Sequence, residues 1–286
     1  MPQSNGKDVL VQCPSFGIPP DMEMVSLRRS GLVVTAALAF VSLLPFALKG
    51  EAADYHYDTA YSVSLGILPI ARLTFRTEVK DDRYEISGRF RSSGLVDVVR
   101  EISADSSVSG LFAGNRFQPE RYRLDYRSGS KKSRYTITYA DGAAVETKVE
   151  PPPKARPISW VPVTDANLKS VLDPIGALLI PGDADVCSRT LPIYDGESRM
   201  DLVLSPGGTA PFKAGKASGD AVVCSVRYVP IAGYKKGRKD IEYLKSVEGM
   251  EIWFAKTATL KLYAPVYAKI PTRYGTVHVS AEAFDG

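Results

Sequence analysis

"YHYDTAYSVSLGILPIARLTFRTEVKDDRYEISGRF", residues 55–90, decides the fold. Tyr55, Tyr57, Thr59, Tyr61, Val63 and Leu65 fall on one parity, and His56, Asp58, Ser62 and Ser64 on the other. A repeat of two residues is that of a strand with one wet and one buried face. "GILPI" turns the chain, and Leu73, Phe75, Thr77 and Val79 then alternate with Arg72, Arg76 and Glu78. After "KDDR" the alternation resumes with Tyr84, Ile86, Gly88 and Phe90. Strands polar on one face predict an antiparallel meander, because parallel strands are apolar on both.

The pattern recurs outward from this stretch. "RYRLDYR" (121–127) alternates arginine with tyrosine and leucine, and "RYTITYADGAAVETKVE" reads as a hairpin turning at Asp141-Gly142. "AVVCSVRYVPI", "GMEIWFAK" and "LKLYAPVYAKI" are further strands, and "PTRYGTVHVSAEAF" is a strand pair bent at Tyr274-Gly275. About a dozen strands at this spacing predict a single all-β domain over residues 53–286, a curved antiparallel sheet or open barrel. "PPPKARP" (151–157) lacks backbone donors and is expected to be a crossover. One or two short helices are expected. One spans Gly94 to Arg100; the other follows Asp173, a suitable N-cap, with Pro174 at its first position and "IGALLI" as an apolar plug.

Residues 1–52 read as an N-terminal extension and signal peptide. Arg28 and Arg29 precede an apolar run from Gly31 to Leu48, and Gly50 and Ala52 place small residues before a cleavage point at Ala53. The start is expected at Met22 or Met24. The alternative is an uncut anchor, since residues 31–48 are just long enough to span a bilayer. Removing residues 1–52 leaves the net charge at +4, too mild for a nucleic-acid-binding stripe. An outer-membrane barrel is disfavoured by the charge on the polar faces, including Arg83, Glu85, Arg89, Arg121, Arg123 and Arg127. The expected location is the periplasm.

Beyond residue 52 two cysteines remain, Cys187 and Cys224, and an even pair in an exported chain reads as a disulfide. A reactive Cys187 thiol would need a base, and the only histidines, His56 and His278, lie on the first and last strands with the parity of residues that face water. They could approach each other if a barrel closed first strand on last, but two histidines make a weak metal site. No cofactor and no metal are expected. "IYDGESR" (193–199) reads as a turn with Gly196 at positive φ and Asp195 supporting it. Trp160 and Trp253 are expected in the core. The densest basic run, Lys235, Lys236, Arg238 and Lys239, is a candidate contact for phosphate or lipid headgroups, set against a plain solvated loop.

Four motifs occur in order: "LDPIGALL" (172–179), Cys187 followed by "IYDG" (193–196), "CSVRYVPIAGY" (224–234) and "KIPTRYGTVHV" (269–279). Together they resemble a bacterial family catalogued as Domain of Unknown Function 3108, over about Ala53 to Phe284. The resemblance implies an exported, β-rich protein without an established activity. Members often carry a basic residue directly after the Asp-Gly; this chain has Glu197 there, so no anion-binding role is carried over to the turn.

The function expected is a non-catalytic periplasmic envelope protein that binds a lipid-like or amphipathic ligand, or an envelope partner protein, in the concavity of the sheet. A glycan-directed hydrolase using paired carboxylates is the alternative, and a structural interaction module a third reading. Contact with a membrane is expected only through residues 31–48 if they stay uncut.

Overall fold

In the computed structural model, residues 55–94, 101–113 and 116–284 are described, and all of them lie in the unit Gly50–Gly286. The expected signal segment and Cys13 lie outside the described residues, as does most of the helix expected at 94–100.

The alternation of residues 55–90 becomes three strands, Tyr55–Leu65 (β1), Leu68–Lys80 (β2) and Arg83–Ser92 (β3). The meander continues through Ile102–Ala113 (β4), Arg116–Ser128 (β5), Lys131–Ala140 (β6) and Ala143–Glu150 (β7). Asp141 and Gly142 between β6 and β7 both take positive φ, as a two-residue hairpin loop requires. After the proline-rich crossover, two-residue strands Trp160–Val161 (β8) and Ile180–Pro181 (β9) precede Arg189–Tyr194 (β10), Arg199–Ala214 (β11) and Ala217–Ala232 (β12). Tyr234–Lys235 (β13), Glu251–Lys256 (β14), Leu262–Thr272 (β15) and Gly275–Ala283 (β16) complete the set.

One antiparallel sheet runs in the order β10-β11-β12-β14-β15-β16-β1-β2-β3-β4-β5-β6-β7, with β9 added beside β15. The first long strand therefore pairs with the last, Val63 opposite Val279. The two edges, β7 and β10, are joined by the segment around Val171. Val171 N–H donates to the Gly142 carbonyl (3.0 Å), Leu172 N–H to Pro192 (2.8 Å), and Tyr194 N–H to Leu172 (3.0 Å). Tyr194 also donates its hydroxyl to Thr147 Oγ1 (3.2 Å). These bonds satisfy edge groups that would otherwise attract a foreign strand, and they nearly close the barrel.

The apolar face turns inward and the charged face outward. Across the outside, Arg76 pairs with Asp58 (3.1 Å), Arg91 with Asp105 (2.9 Å), and Asp125 lies between Arg123 (2.7 Å) and Arg134 (2.6 Å). An outer-membrane barrel carries the opposite arrangement, an apolar band outside. Among the described residues no helix is long and apolar enough to cross a membrane.

The helix expected after Asp173 is corrected to a 3-10 turn of three residues, Gly176–Leu178. Asp173 does cap this turn: its Oδ1 accepts from the Ile175 N–H (2.9 Å) and the Gly176 N–H (2.7 Å). The helix stops because Leu179 is already extended and leads into β9, whose pairing with β15 outcompetes another helical turn. A helix not foreseen, Lys239–Ser246 (α1), follows the basic run. The signal was present in Ile241 and Leu244, spaced three apart on one face, with Val247 capping the end. Trp160 and Trp253 are half-buried rather than core: Arg156 stacks 4.0 Å above the Trp160 ring, and Trp253 Nε1 donates to Glu251 (3.1 Å).

Candidate functional site

The barrel interior is filled unevenly. At the end holding the Asp141-Gly142 turn, Tyr84, Tyr122, Tyr139 and Tyr194 pack with Val108, Ile137, Val171, Leu260 and Leu262 into a solid core. Toward the other end lies a cavity of about 440 Å³, within the size range of small-molecule sites. One wall is Tyr57, Thr59 and Tyr61 of β1 with Leu73, Phe75 and Thr77 of β2. The wall continues beside β1 through Val279 of β16 and Ala264, Ala268 and Ile270 of β15, and on to Val226 and Tyr228 of β12 and Leu202 of β11. Pro174, Ile175, Leu178 and Leu179, the apolar plug of the sequence, border it, and Leu244 of α1 and Met250 reach it from the barrel end.

No residue lining the cavity carries a charge. Its polar groups are the hydroxyls of Thr59, Thr77 and three tyrosines, and the Tyr61 hydroxyl is engaged, donating to the Pro265 carbonyl (2.8 Å). Burial pushes the Tyr61 phenol well above its ordinary range. Gly88 on β3 shapes the wall: a Cβ there would lie 2.7 Å from Phe75 Cε1, so the missing side chain is what lets the Phe75 ring lie against the sheet and not in the cavity. Tyr61 meets that ring edge-on, 6.2 Å between centroids.

The lining extends to the rows that carry two hairpin turns. Ile270 pairs with Val277, and Val277 with Leu65, next to Gly66. Thr272 and Gly275 flank the other turn, at Tyr274.

The residues singled out in the sequence occupy separate places. Cys187 and Cys224 form the disulfide, with Cα atoms 5.2 Å apart, tying the approach to β10 across β11 onto β12. Asp195 Oδ1 accepts from the Glu197 N–H (2.9 Å) and the Ser198 N–H (2.6 Å), and Gly196 takes φ +99°. Burial raises the Asp195 carboxyl despite those bonds. Lys235 at the end of β13, Lys236, Arg238 and Lys239 at the start of α1 are exposed, and Arg238 pairs with Asp240 (2.7 Å). His56 and His278 are not brought together: His56 lies opposite Glu78, and His278 opposite Ser64. His278 is half-buried, with Nδ1 2.6 Å from the Tyr267 hydroxyl. Among the described residues no cluster of His, Cys, Asp or Glu could hold a metal ion.

The group that sequence reasoning undervalued is Asp173. It is completely buried, its Oδ2 has no hydrogen-bond partner, and the Tyr84 hydroxyl is likewise unpaired. Burial, opposed by the two backbone N–H bonds, pushes its pKa up to about 6. It belongs to the floor beneath the cavity rather than to the lining, which begins at Pro174.

Compared with known proteins, residues 60–282 match a family described as a protein of unknown function (DUF3108). No curated protein matches the chain. Among solved structures, the chain is similar to the crystal structure of a β-barrel-like protein of domain of unknown function DUF1849 from Brucella abortus, with a TM-score of 0.46 and 13% sequence identity, over 80% of this chain and 95% of that one.

Proposed function

We propose a function for a chain that belongs to the DUF3108 family of proteins of unknown function: it is an exported, periplasmic, non-catalytic protein that holds a lipid-like or amphipathic ligand in the hollow part of its barrel. The observation that carries this reading is the uncharged cavity of about 440 Å³ inside a sheet whose outer face is charged. Apolar surface around a void forfeits contacts that a filled core would make, so an apolar occupant gains both desolvation and dispersion. The Cys187–Cys224 disulfide supports export, since such bonds persist in oxidising compartments. The glycan-hydrolase alternative has less support: no carboxylate lines this cavity, and in a separate charged cleft Asp105, Asp125 and Glu150 are engaged by Arg91, Arg123, Arg134 and Lys148.

Mass spectrometry of protein purified from the native envelope tests the reading, with lipid expected in the organic extract. A fluorescent fatty acid serves as the probe in solution. Ala264→Trp, placed on β15 in the cavity wall, is expected to weaken probe binding at least about tenfold while the melting temperature holds. An empty extract together with equal probe affinity in wild type and Ala264→Trp would sink the reading.

A further inference from the structure

We propose that the barrel end bearing the β1–β2 and β15–β16 turns is a rim that docks on an anionic membrane surface and lets the cavity exchange its ligand there; this rests on the lipid-like occupant proposed above. The two turns are held side by side, with the Gly66 N–H donating to the Thr276 carbonyl (2.8 Å). At their tips Ile67 is 95% exposed and Tyr274 88% exposed, and Leu68 beside them is also exposed. Turn geometry requires the glycines, Gly66 at φ +57° and Gly275 at φ +126°, but not a large apolar neighbour. Ile67 and Tyr274 therefore contribute almost no burial to this chain, although the same side chains would bury well at a headgroup boundary. Tyrosine is favoured there because its ring is apolar and its tip polar.

Charge at this end has the matching sign. Ser64, His278, Lys269, Glu251 and Ser225 are successive partners across five strands, and β12 continues past that row to Ala232 in the direction of the two tips. The segment after β12 carries Lys235, Lys236 and Lys239, all exposed and without ion pairs among the described residues; so is Arg273, next to Tyr274. The nearby acids are largely occupied: Asp240 is bound by Arg238 (2.7 Å) and Glu242 by Lys245 (2.9 Å), leaving Glu248. Cations at this position are attracted to anionic headgroups over about a Debye length. Leu244 of α1 lines the cavity, so the helix that Lys239 begins borders the cavity directly.

The test is vesicle flotation of the protein as purified from the envelope, comparing phosphatidylcholine alone with phosphatidylcholine carrying about one third phosphatidylglycerol. Wild type is expected to float with the anionic vesicles, less so as salt rises. The variant Ile67→Ser/Leu68→Ser/Tyr274→Ser is expected to lose about tenfold or more in partition. Lys235→Gln/Lys236→Gln/Lys239→Gln/Arg273→Gln is expected to lose the preference for phosphatidylglycerol, at about fivefold per cation removed. In a second measurement, Tyr274→Trp should shift its fluorescence to the blue on anionic vesicles and be quenched by brominated lipid. Both rim variants should keep wild-type affinity for the fluorescent fatty acid in solution. Equal partition of wild type and the tip variant overturns the rim, as does an unshifted Tyr274→Trp spectrum. A concentration-dependent dimer that the tip variant abolishes, with partition unchanged, assigns the tips to a second copy and also overturns it. Docking that survives where no fatty acid binds in solution keeps the rim and removes the cavity reading instead.

Discussion

The tyrosine-filled end of the barrel and its hollow end are built from the same strands with the same alternation. In β1, Tyr57 touches both: it packs with the solid core and lines the cavity. What differs is what crosses the axis. At the solid end the β14–β15 connection brings in Leu260, and the edge segment brings in Val171; both belong to the same buried cluster as Val108, Ile137 and Tyr139. At the hollow end the crossing element is the short turn after Asp173, and the lining includes Ala264 and Ala268, which leave room. Inward-pointing apolar residues thus secure the shell, while side-chain volume and crossing segments decide whether the shell is full.

The sharpest way to break that contrast is to truncate one side chain from each end. Ile137→Ala, at a fully buried site, should cost about 3–4 kcal/mol by leaving a new void. Leu178→Ala, which borders existing space, should cost about 1 kcal/mol or less, because one side of that residue already lacks packed neighbours. Urea unfolding of both variants measures the pair. Equal losses would mean that the cavity collapses in solution and that the two ends are alike.

The disulfide sharpens the comparison from the side of the chain. Its 37-residue separation corresponds to about 3–4 kcal/mol in the loop-entropy account. Cys187→Ala/Cys224→Ala should lose about that much, with hydrogen exchange rising first in β10 and β11, which the bond ties to β12. Uniform loss of protection across β2–β7 as well would show that the barrel unfolds as one unit and not from this side.

A smaller effect, and one that depends on pH, is expected at the floor between the two regions. Asp173 has a folded pKa of about 6 against an ordinary 3.8. The folded chain therefore holds a proton that the unfolded chain gives up between those values. The contribution is fully present below about pH 4, falls as pH rises through about 6, and amounts to at most about 3 kcal/mol. Asp173→Asn keeps an oxygen for the Ile175 and Gly176 N–H groups and has no charge to bury. It should abolish this part of the pH dependence and be the more stable form near pH 7. Parallel stability curves for the two proteins between about pH 4 and 7 would refute a buried, shifted Asp173.

How much of this was legible in the sequence differs by feature. Tyr57, Thr59 and Tyr61 announce their inward face by parity, and Asp141-Gly142 and Asp195-Gly196 announce their turns by the φ values they allow. The capping residue and apolar run of the turn after Asp173 satisfy the local rules for a helix. Pairing of Ile180–Pro181 with β15, from far along the chain, overrode them. Helix α1 was concealed the other way, its apolar residues Ile241 and Leu244 embedded in a conspicuous run of lysines.

By itself, the sequence determined most of the long strands, their wet and dry faces and the antiparallel sense, because each of these is set by neighbours one to a few residues apart; the cysteine pairing followed from their even number beyond the expected export signal. Only the tertiary structure decided that β1 closes on β16, that Asp173 is sealed in without a partner for Oδ2, and that the space between Phe75 and Ala264 stays open. Those outcomes depend on volumes and hydrogen bonds contributed by segments more than two hundred residues apart, as Val63 and Val279 are, and no local pattern carries the sum of such contributions.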